Sequence, residues 1–422
     1  MIYKIDDNPP IAKTFIFAIQ MVLSVFVASV LIANICGVAT SGALFGAGLS
    51  TFVYLLVTGF KSPMFISNSG AMVAPVLAAM AIGGYTGIAI SGLTTCIVYC
   101  VFGYIFSKVD VSNIYKIFPK SLIGAVTIVI GITLMSFIGT YVQVNGNPSK
   151  WGVVIALFTA FVISVVSHYT KGLAKILPFL IGTLVGYTVC ALLTVTGICK
   201  MIDFSVFKGM KLLSTSDTAF KHWTGIGIEQ IVAICISTAP YSLSAMMECL
   251  SDHAALGSIV ETDLYKTPGL SRIFIGEGLA NIVGTVFGGL GQCSYGEGVA
   301  CVGFSKVASS TVTLFAAVIM MMLSFINPVQ VFIASIPSCV FGGCAIILYS
   351  FIASSGIKML QNVDLNNNKN LLIVSVALST GISGIALGTD KFSLTGTALA
   401  LVLGVVLNLV LKEEKPNNSE EI

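Results

Sequence analysis

Cys293-Ser-Tyr-Gly-Glu-Gly298 opens an apolar segment, 294–304, that is too short and too polar to be an ordinary membrane span. Glycines flank Glu297 on both sides and permit an extended or broken backbone, whose free N–H groups can point at a ligand. Far upstream, Phe65-Ile-Ser-Asn-Ser-Gly-Ala71 begins a second short segment, 67–80, with the same habit and no charge. Gly70 and Ala71 let a backbone approach a ligand there, and Ser67, Asn68 and Ser69 can satisfy the backbone groups a break would free. A small-residue seam between packed helices is the competing reading of that stretch.

The two segments fall at matching places. About fourteen apolar segments can be counted, the first from Thr14 and the last from Ser393, and these two are the third and the tenth. Phe118-Pro119 followed by Gly124 opens the fifth, and Ile336-Pro337 followed by Gly342 opens the twelfth, with the same Pro-to-Gly spacing. The chain therefore reads as two repeats of seven. Seven is odd, so the repeats are inverted across the membrane. Paired interrupted segments in corresponding positions of two such halves point to a substrate site near the midplane.

Composition supports a lipid environment. Of the 422 residues 56% are hydrophobic and 9% charged, against roughly 25% charged in a soluble domain. The polar Met1–Lys13 stretch and the long first apolar run do not read as a cleavable signal peptide. The net charge of +3 is spread over short loops, which argues against nucleic acid as a partner. With the N-terminus placed in the cytoplasm, fifteen of the twenty-one Lys and Arg fall inside, and four of the other six lie in one long loop. That bias predicts a multi-pass protein of the cell membrane with both termini cytoplasmic. The eleven cysteines are scattered through apolar segments. Cys96 and Cys100, one helical turn apart, read as small packing residues, since no further Cys or His supports a metal.

Four carboxylates fall within or at the ends of apolar segments: Glu248, Asp252, Glu277 and Glu297. A carboxylate at the bilayer centre costs roughly 2.5–3.5 kcal/mol even on lenient scales, so each is a functional candidate. Glu248 and Asp252 are four apart and share one helix face. Asp252 is read as heading the following loop, beside His253. Glu277 lies five residues after Arg272 and reads first as a structural ion pair or helix-end residue. His168, His222 and His253 all fall near loops, which leaves proton coupling to the carboxylates. No His-Glu-x-x-His, Gly-x-Ser-x-Gly or metal-spaced histidine set is found, so the chain does not read as an enzyme.

At these residues the sequence resembles the nucleobase–ascorbate (nucleobase–cation symporter 2) family, and within it the bacterial uracil and xanthine permeases. The resemblance spans nearly the whole chain. It is carried by Leu177-Pro-Phe-Leu-Ile-Gly-Thr-Leu-Val-Gly-Tyr187, Asp263 through Pro268-Gly269-Leu270, Tyr295-Gly-Glu297, Ile336-Pro337 to Gly342-Gly343, and Gly356-Ile-Lys358 with Asp364 and Asn366. It implies short antiparallel strands in segments three and ten. It implies a core domain, 1–110 and 201–326, and a gate domain, 111–200 and 327–411, followed by a cytoplasmic tail, 412–422. Glu248 matches the family's substrate carboxylate and Glu297 the residue that opens its signature. Gly70, Ala71, Tyr295 and Gly296 match positions beside the base, and Asp252 with the two glutamates would serve gating and proton coupling. The function implied is proton-coupled import of uracil by alternating access, with the proton gradient as energy source, no cofactor, and a homodimer admitted.

This sequence also departs from the family's pattern. Gly298 stands where the signature usually has Asn, Met21 follows Gln20 where uracil permeases have His, and Gly70 replaces a bulky aromatic. Asp252 is more like the purine-transporting branch. The lost bulk suggests a roomier pocket, so a xanthine or uric acid permease is the alternative. An anion exchanger on the same architecture would want a cation at the site rather than carboxylates, and a channel would not need paired interrupted segments.

Overall fold

Proline positions decide where several helices start. In the computed structural model, which describes residues 1–108, 116, 118–136, 138–144, 147–208, 210–213, 222–361, 363–389 and 392–411, Pro10 caps α1 (Ile11–Ile35) and Pro119 caps α4 (Lys120–Met135). Proline lacks an N–H that a first turn leaves unpaired anyway, and its φ suits helix entry. The tail 412–422 lies outside the described residues. Between those helices run α2 (Thr40–Val57), strand β1 (Ile66–Asn68) and α3 (Val73–Phe106). Beyond them come α5 (Lys150–Tyr169), α6 (Pro178–Val195), α7 (Ile228–Val260) and α8 (Leu270–Val286). The chain continues through α9 (Gly296–Ser305), α10 (Ser310–Leu323), α11 (Asn327–Ser335), α12 (Ser338–Leu360), α13 (Asn368–Ile382) and α14 (Gly396–Val410). Two small hairpins, β2 (Gln143–Val144) with β3 (Asn147–Pro148) and β5 (Ala386–Thr389) with β6 (Phe392–Thr395), join helices, and strand β4 (Gln292–Ser294) precedes α9.

Each of the fourteen segments read from the sequence falls on helix. The third and fourth share α3, which is broken at Gly83 and Gly84; Gly84 has φ 55° and ψ −142°, a conformation only glycine adopts freely. The region before the twelfth segment differs from the sequence reading. A span beginning at Gln330 is divided there, because Pro337 cannot continue the turn of α11, and α12 starts afresh at Ser338. Among the described residues eight helices are long and apolar enough to cross a membrane, including α1, α2, α3 and α7. The protein is a multi-pass α-helical membrane protein.

The third and tenth segments meet as an antiparallel pair. Ile66 faces Ser294, Ser67 faces Cys293 and Asn68 faces Gln292, so each strand's first residue lies opposite the other's last. That register has a local two-fold through its middle pair, as inverted repeats require.

Chain contacts divide the protein into two compact units, one of Met1–Ser107 and Phe137–Leu348, the other of Lys108–Ser136 and Tyr349–Ile422. The strand pair belongs to the first. There α8 packs against α2 and α3. In the second unit glycines bring backbones together: a Cβ on Gly131 would lie 2.6 Å from the Ala353 nitrogen, and one on Gly356 would lie 2.5 Å from the Gly124 carbonyl oxygen. Such close approach drives helix association where lipid removes the hydrophobic incentive.

Candidate functional site

A two-stranded sheet leaves both outer edges unpaired, and helix side chains complete them here. Thr51 of α2 accepts from the Ile66 N–H at 3.0 Å and donates to the Ile66 carbonyl at 2.8 Å. On the other edge, Asn281 of α8 accepts from the Gln292 N–H and donates to the Gln292 carbonyl, both at 2.7 Å. Glu277, one turn earlier on α8, accepts from the Ser294 N–H through Oε1 at 3.1 Å. The spacing is geometric: four helical residues rise about 6 Å and two strand residues about 6.6 Å, so Glu277 and Asn281 meet successive outward groups of β4. The helices that supply these side chains are segments two and nine, counterparts in the two repeats.

Asn68 ties the pair together. Its Nδ2 donates to Ser29 at 2.6 Å, and its Oδ1 accepts from the Leu290 N–H at 3.2 Å and from Gln292 Nε2 at 2.9 Å. All four of Asn68, Glu277, Asn281 and Gln292 are fully buried. These buried bonds between and onto the strands make the pair a rigid platform.

At the ends of the strands the chain turns into helices. Ser69 donates its N–H to the Gly291 carbonyl at 2.8 Å, and its hydroxyl accepts from the Ala71 N–H at 3.2 Å, capping the turn that begins at Gly70. The same hydroxyl donates to Glu248 Oε2 at 3.2 Å. Across the pair, Tyr295 is buried, Gly296 is exposed, and α9 begins with Glu297 half-buried in its first turn. Helix starts present N–H groups without intrahelical partners, and these favour electron-rich atoms. Glu248 and Asp252 on α7 are half-buried beside this junction. A Cβ on Gly296 would lie 3.7 Å from Asp252 Oδ1, and Glu248 and Glu297 are within electrostatic reach of each other.

The structure thus gathers Glu248, Asp252, Glu297, Gly70, Ala71, Tyr295 and Gly296 around one pair of helix starts. Several readings change. Asp252 does not head a loop, because α7 continues for two more turns to Val260. Glu277 pairs with the backbone of β4 rather than with Arg272, so it is structural but not an ion pair. Gly298 sits in a packed position: a Cβ there would meet Phe65 at 3.3 Å and Val25 at 3.9 Å. His253 is not near a loop surface but 1% exposed, bonded to Tyr54. Thr51 and Asn281 were not singled out by sequence. The spacing of Asn281 to Glu277, four residues inside an apolar segment, was the available signal.

The profile of Xan_ur_permease, a permease family, matches residues 12–389. The uracil permease of Bacillus caldolyticus is 32% identical over 418 residues, covering 97% of this chain and 94% of that protein. The uracil permease of Escherichia coli (strain K12) is 28% identical over 425 residues, covering 99% and 96%. Among solved structures, the transmembrane domain of the cyanobacterium bicarbonate transporter BicA superimposes with a TM-score of 0.66 at 15% identity, covering 94% of this chain and 96% of that one. The structure of SLC26A9 gives a TM-score of 0.64 at 12% identity, covering 94% and 64%. At such identities these two share the fold with this chain, and the agreement supports the two-repeat architecture.

Proposed function

The chain belongs to the Xan_ur_permease family of permeases, and from that premise we propose that it is a proton-coupled uracil importer. A permease is a transporter, not an enzyme, and the site has the donors and acceptors that uracil requires. Uracil is neutral and planar, with two N–H donors and two carbonyl acceptors. Carboxylates on Glu248 and Glu297 accept from the N–H edge, and N–H groups at the helix starts by Gly70 and Gly296 donate to the carbonyls. The observation that carries this reading is the bond from Ser69 to Glu248, which holds a substrate-facing carboxylate against one helix start while Glu297 stands on the other. Relatives named as uracil permeases along nearly the whole chain supply the choice of base.

Glu248, Glu297 and Asp252 are the groups proposed to exchange a proton with substrate entry, since a carboxyl accepts one without a change of fold. Alternating access is proposed as movement of the gate segments, five to seven and twelve to fourteen, against the core segments. Both termini are proposed to lie in the cytoplasm, on the Lys and Arg bias of the loops. A purine remains the second reading, favoured by Asp252: its carboxylate beside Gly296 gives one more acceptor than uracil uses.

Uptake of labelled uracil into cells lacking their own permeases, with xanthine, uric acid, chloride, sulfate and bicarbonate as competitors, tests the proposal. Uracil uptake that rises with an imposed proton gradient is expected. Competition by xanthine at lower concentration than uracil selects the purine reading, and inhibition by the inorganic anions alone refutes both. Glu248→Gln removes one charge-assisted bond, worth about 1.5–3 kcal/mol, so uracil affinity falls about 10- to 150-fold; unchanged affinity takes Glu248 out of the site.

A further inference from the structure

Glu297 and Phe304 stand seven residues apart on α9, so they differ by only about 20° around the helix and about 10 Å along it. Whatever leaves Glu297 toward the C-terminal end of α9 therefore meets the Phe304 ring two turns on. The other sides of the helix are packed. A Cβ on Gly298 would meet Phe65 and Val25, and one on Gly303 would lie 3.3 Å from Ile259 of α7. Cys301 is buried against Ser24 of α1. Gly296, Ala300 and Phe304, spaced four apart, are the exposed residues of α9. An open stripe thus runs from the carboxylate to the ring, and the ring itself is 51% exposed.

Lys175 lies across the end of that stripe. Its Nζ stands 5.4 Å from the centre of the Phe304 ring, within the reach of about 6 Å over which a ring face attracts a cation. Lys175 belongs to a single helical turn, Leu173–Ile176, just before Pro178 starts α6, and that turn packs against α1 and α9. The lysine is half-buried, whereas one that served only solvation would carry its ammonium out to water. The two partners are held from different directions. The end of α9 is tied to the N-terminal segment: the Ile2 N–H donates to the Lys306 carbonyl at 2.7 Å, and the Ala308 N–H donates to the Tyr3 carbonyl at 2.9 Å. Lys175 instead follows α6, the seventh segment.

We propose that Lys175 and Phe304 are the gate residues at the C-terminal end of α9: the ammonium on the ring shuts the stripe below Glu297, and a base leaves on that side only when the two part. This rests on the alternating-access reading above, in which the seventh segment moves with the gate and the tenth with the core. Such movement makes or breaks a contact between them. The weakness of the contact suits the task. A cation on a ring at a partly exposed site shifts an equilibrium by about 2- to 5-fold, which biases the path toward closure without locking it. The aromatic ring and the lysine stem supply the bulk that blocks, and the charge supplies the register.

Ala300→Cys places a thiol on the open stripe between Glu297 and Phe304. Its reaction with a membrane-impermeant maleimide is followed in sealed membrane vesicles of each orientation, by mass spectrometry of the peptide that carries position 300. Lys175→Gln, which removes the charge, is expected to speed labelling about 2- to 5-fold from one face of the membrane only. Phe304→Leu is expected to do the same, and the double variant to label no faster than the quicker single one, because both remove one contact. Lys175→Arg, whose guanidinium also sits on a ring, is expected to label like the parent. Rates unchanged by either substitution, rates raised equally from both faces, or effects that multiply in the double variant overturn the inference. A thiol that no variant exposes also overturns it, since the stripe then borders no aqueous path. Labelling needs no substrate, so it tests the gate apart from the base: wild-type vesicles that take up no uracil refute the import reading instead.

Discussion

Replacing Asn281 by Ala removes two of the three bonds with which α8 closes the outer edge of β4. The Gln292 N–H and carbonyl, each bonded at 2.7 Å, are left without the partner on α8, in a residue that is fully buried. A buried backbone group that loses its partner costs about 1–3 kcal/mol, so the pair costs about 2–6 kcal/mol. If that free energy is what keeps the strand closed, local opening of β4 becomes easier by at least about 30-fold, taking 1.36 kcal/mol per tenfold. Hydrogen–deuterium exchange read by mass spectrometry on peptides covering 292–294 measures this directly. Faster exchange there, with little change in α5 or α6, is the expected pattern, and uracil affinity falls with it because Tyr295 and Glu297 follow the strand. Thr188→Ala, whose hydroxyl only bonds its own helix on an exposed face, is the control. Exchange of 292–294 within threefold of wild type, together with unchanged uracil affinity, refutes the claim that α8 completes the sheet.

Ser69→Ala loses a bond to Glu248 and the cap on Ala71; at about 0.5–1.5 kcal/mol for the first, uracil affinity falls about 2- to 12-fold in a binding assay. Gly84→Ala places a Cβ in open space but on a backbone that only glycine adopts freely, so it costs about 1–3 kcal/mol of strain and lowers the midpoint of thermal unfolding in detergent without a steric clash. Gly131→Leu drives a side chain into the Ala353 backbone, 2.6 Å from where its Cβ would sit, and is expected to abolish recovery of folded protein in size-exclusion chromatography.

Much of the architecture was legible because it is written in features that act locally. Pro119 and Pro337, the glycines around Glu297 and the polar run at Ser67–Ser69 each impose a break or a start that needs no knowledge of the partner. The count of segments and the pairing of the third with the tenth followed from them. The errors share a different cause. A helix end is weakly marked when no proline or glycine follows at once, and α7 runs to Glu261, where the chain at last turns left-handed. Asp252 and His253 therefore lie inside the helix and not at its end. Nearness in sequence offers Glu277 only Arg272 or a helix end as its reason for being there. Its actual partner, the Ser294 N–H, is seventeen residues on, and only the packing of α8 against β4 brings the two together.

The same packing explains how a scaffold with two-fold character holds a ligand without it. The edge of β1 is closed by Thr51 and the edge of β4 by Asn281 and Glu277, so corresponding helices do the same mechanical work with different chemistry. The first repeat uses hydroxyls and an amide: Thr51, Asn68 and Ser69. The four intramembrane carboxylates, Glu248, Asp252, Glu277 and Glu297, all lie in the second. Charge in a membrane interior is costly, and confining it to one repeat leaves the other half as a neutral wall of donors against which a carboxylate such as Glu248 can be held. A neutral, flat base suits that division, because it needs strong acceptors along one edge and N–H donors along the other. The interrupted segments that organise the sequence are therefore a matched pair in shape and an unmatched pair in chemistry, and under the proposed function specificity for the base would reside in that mismatch.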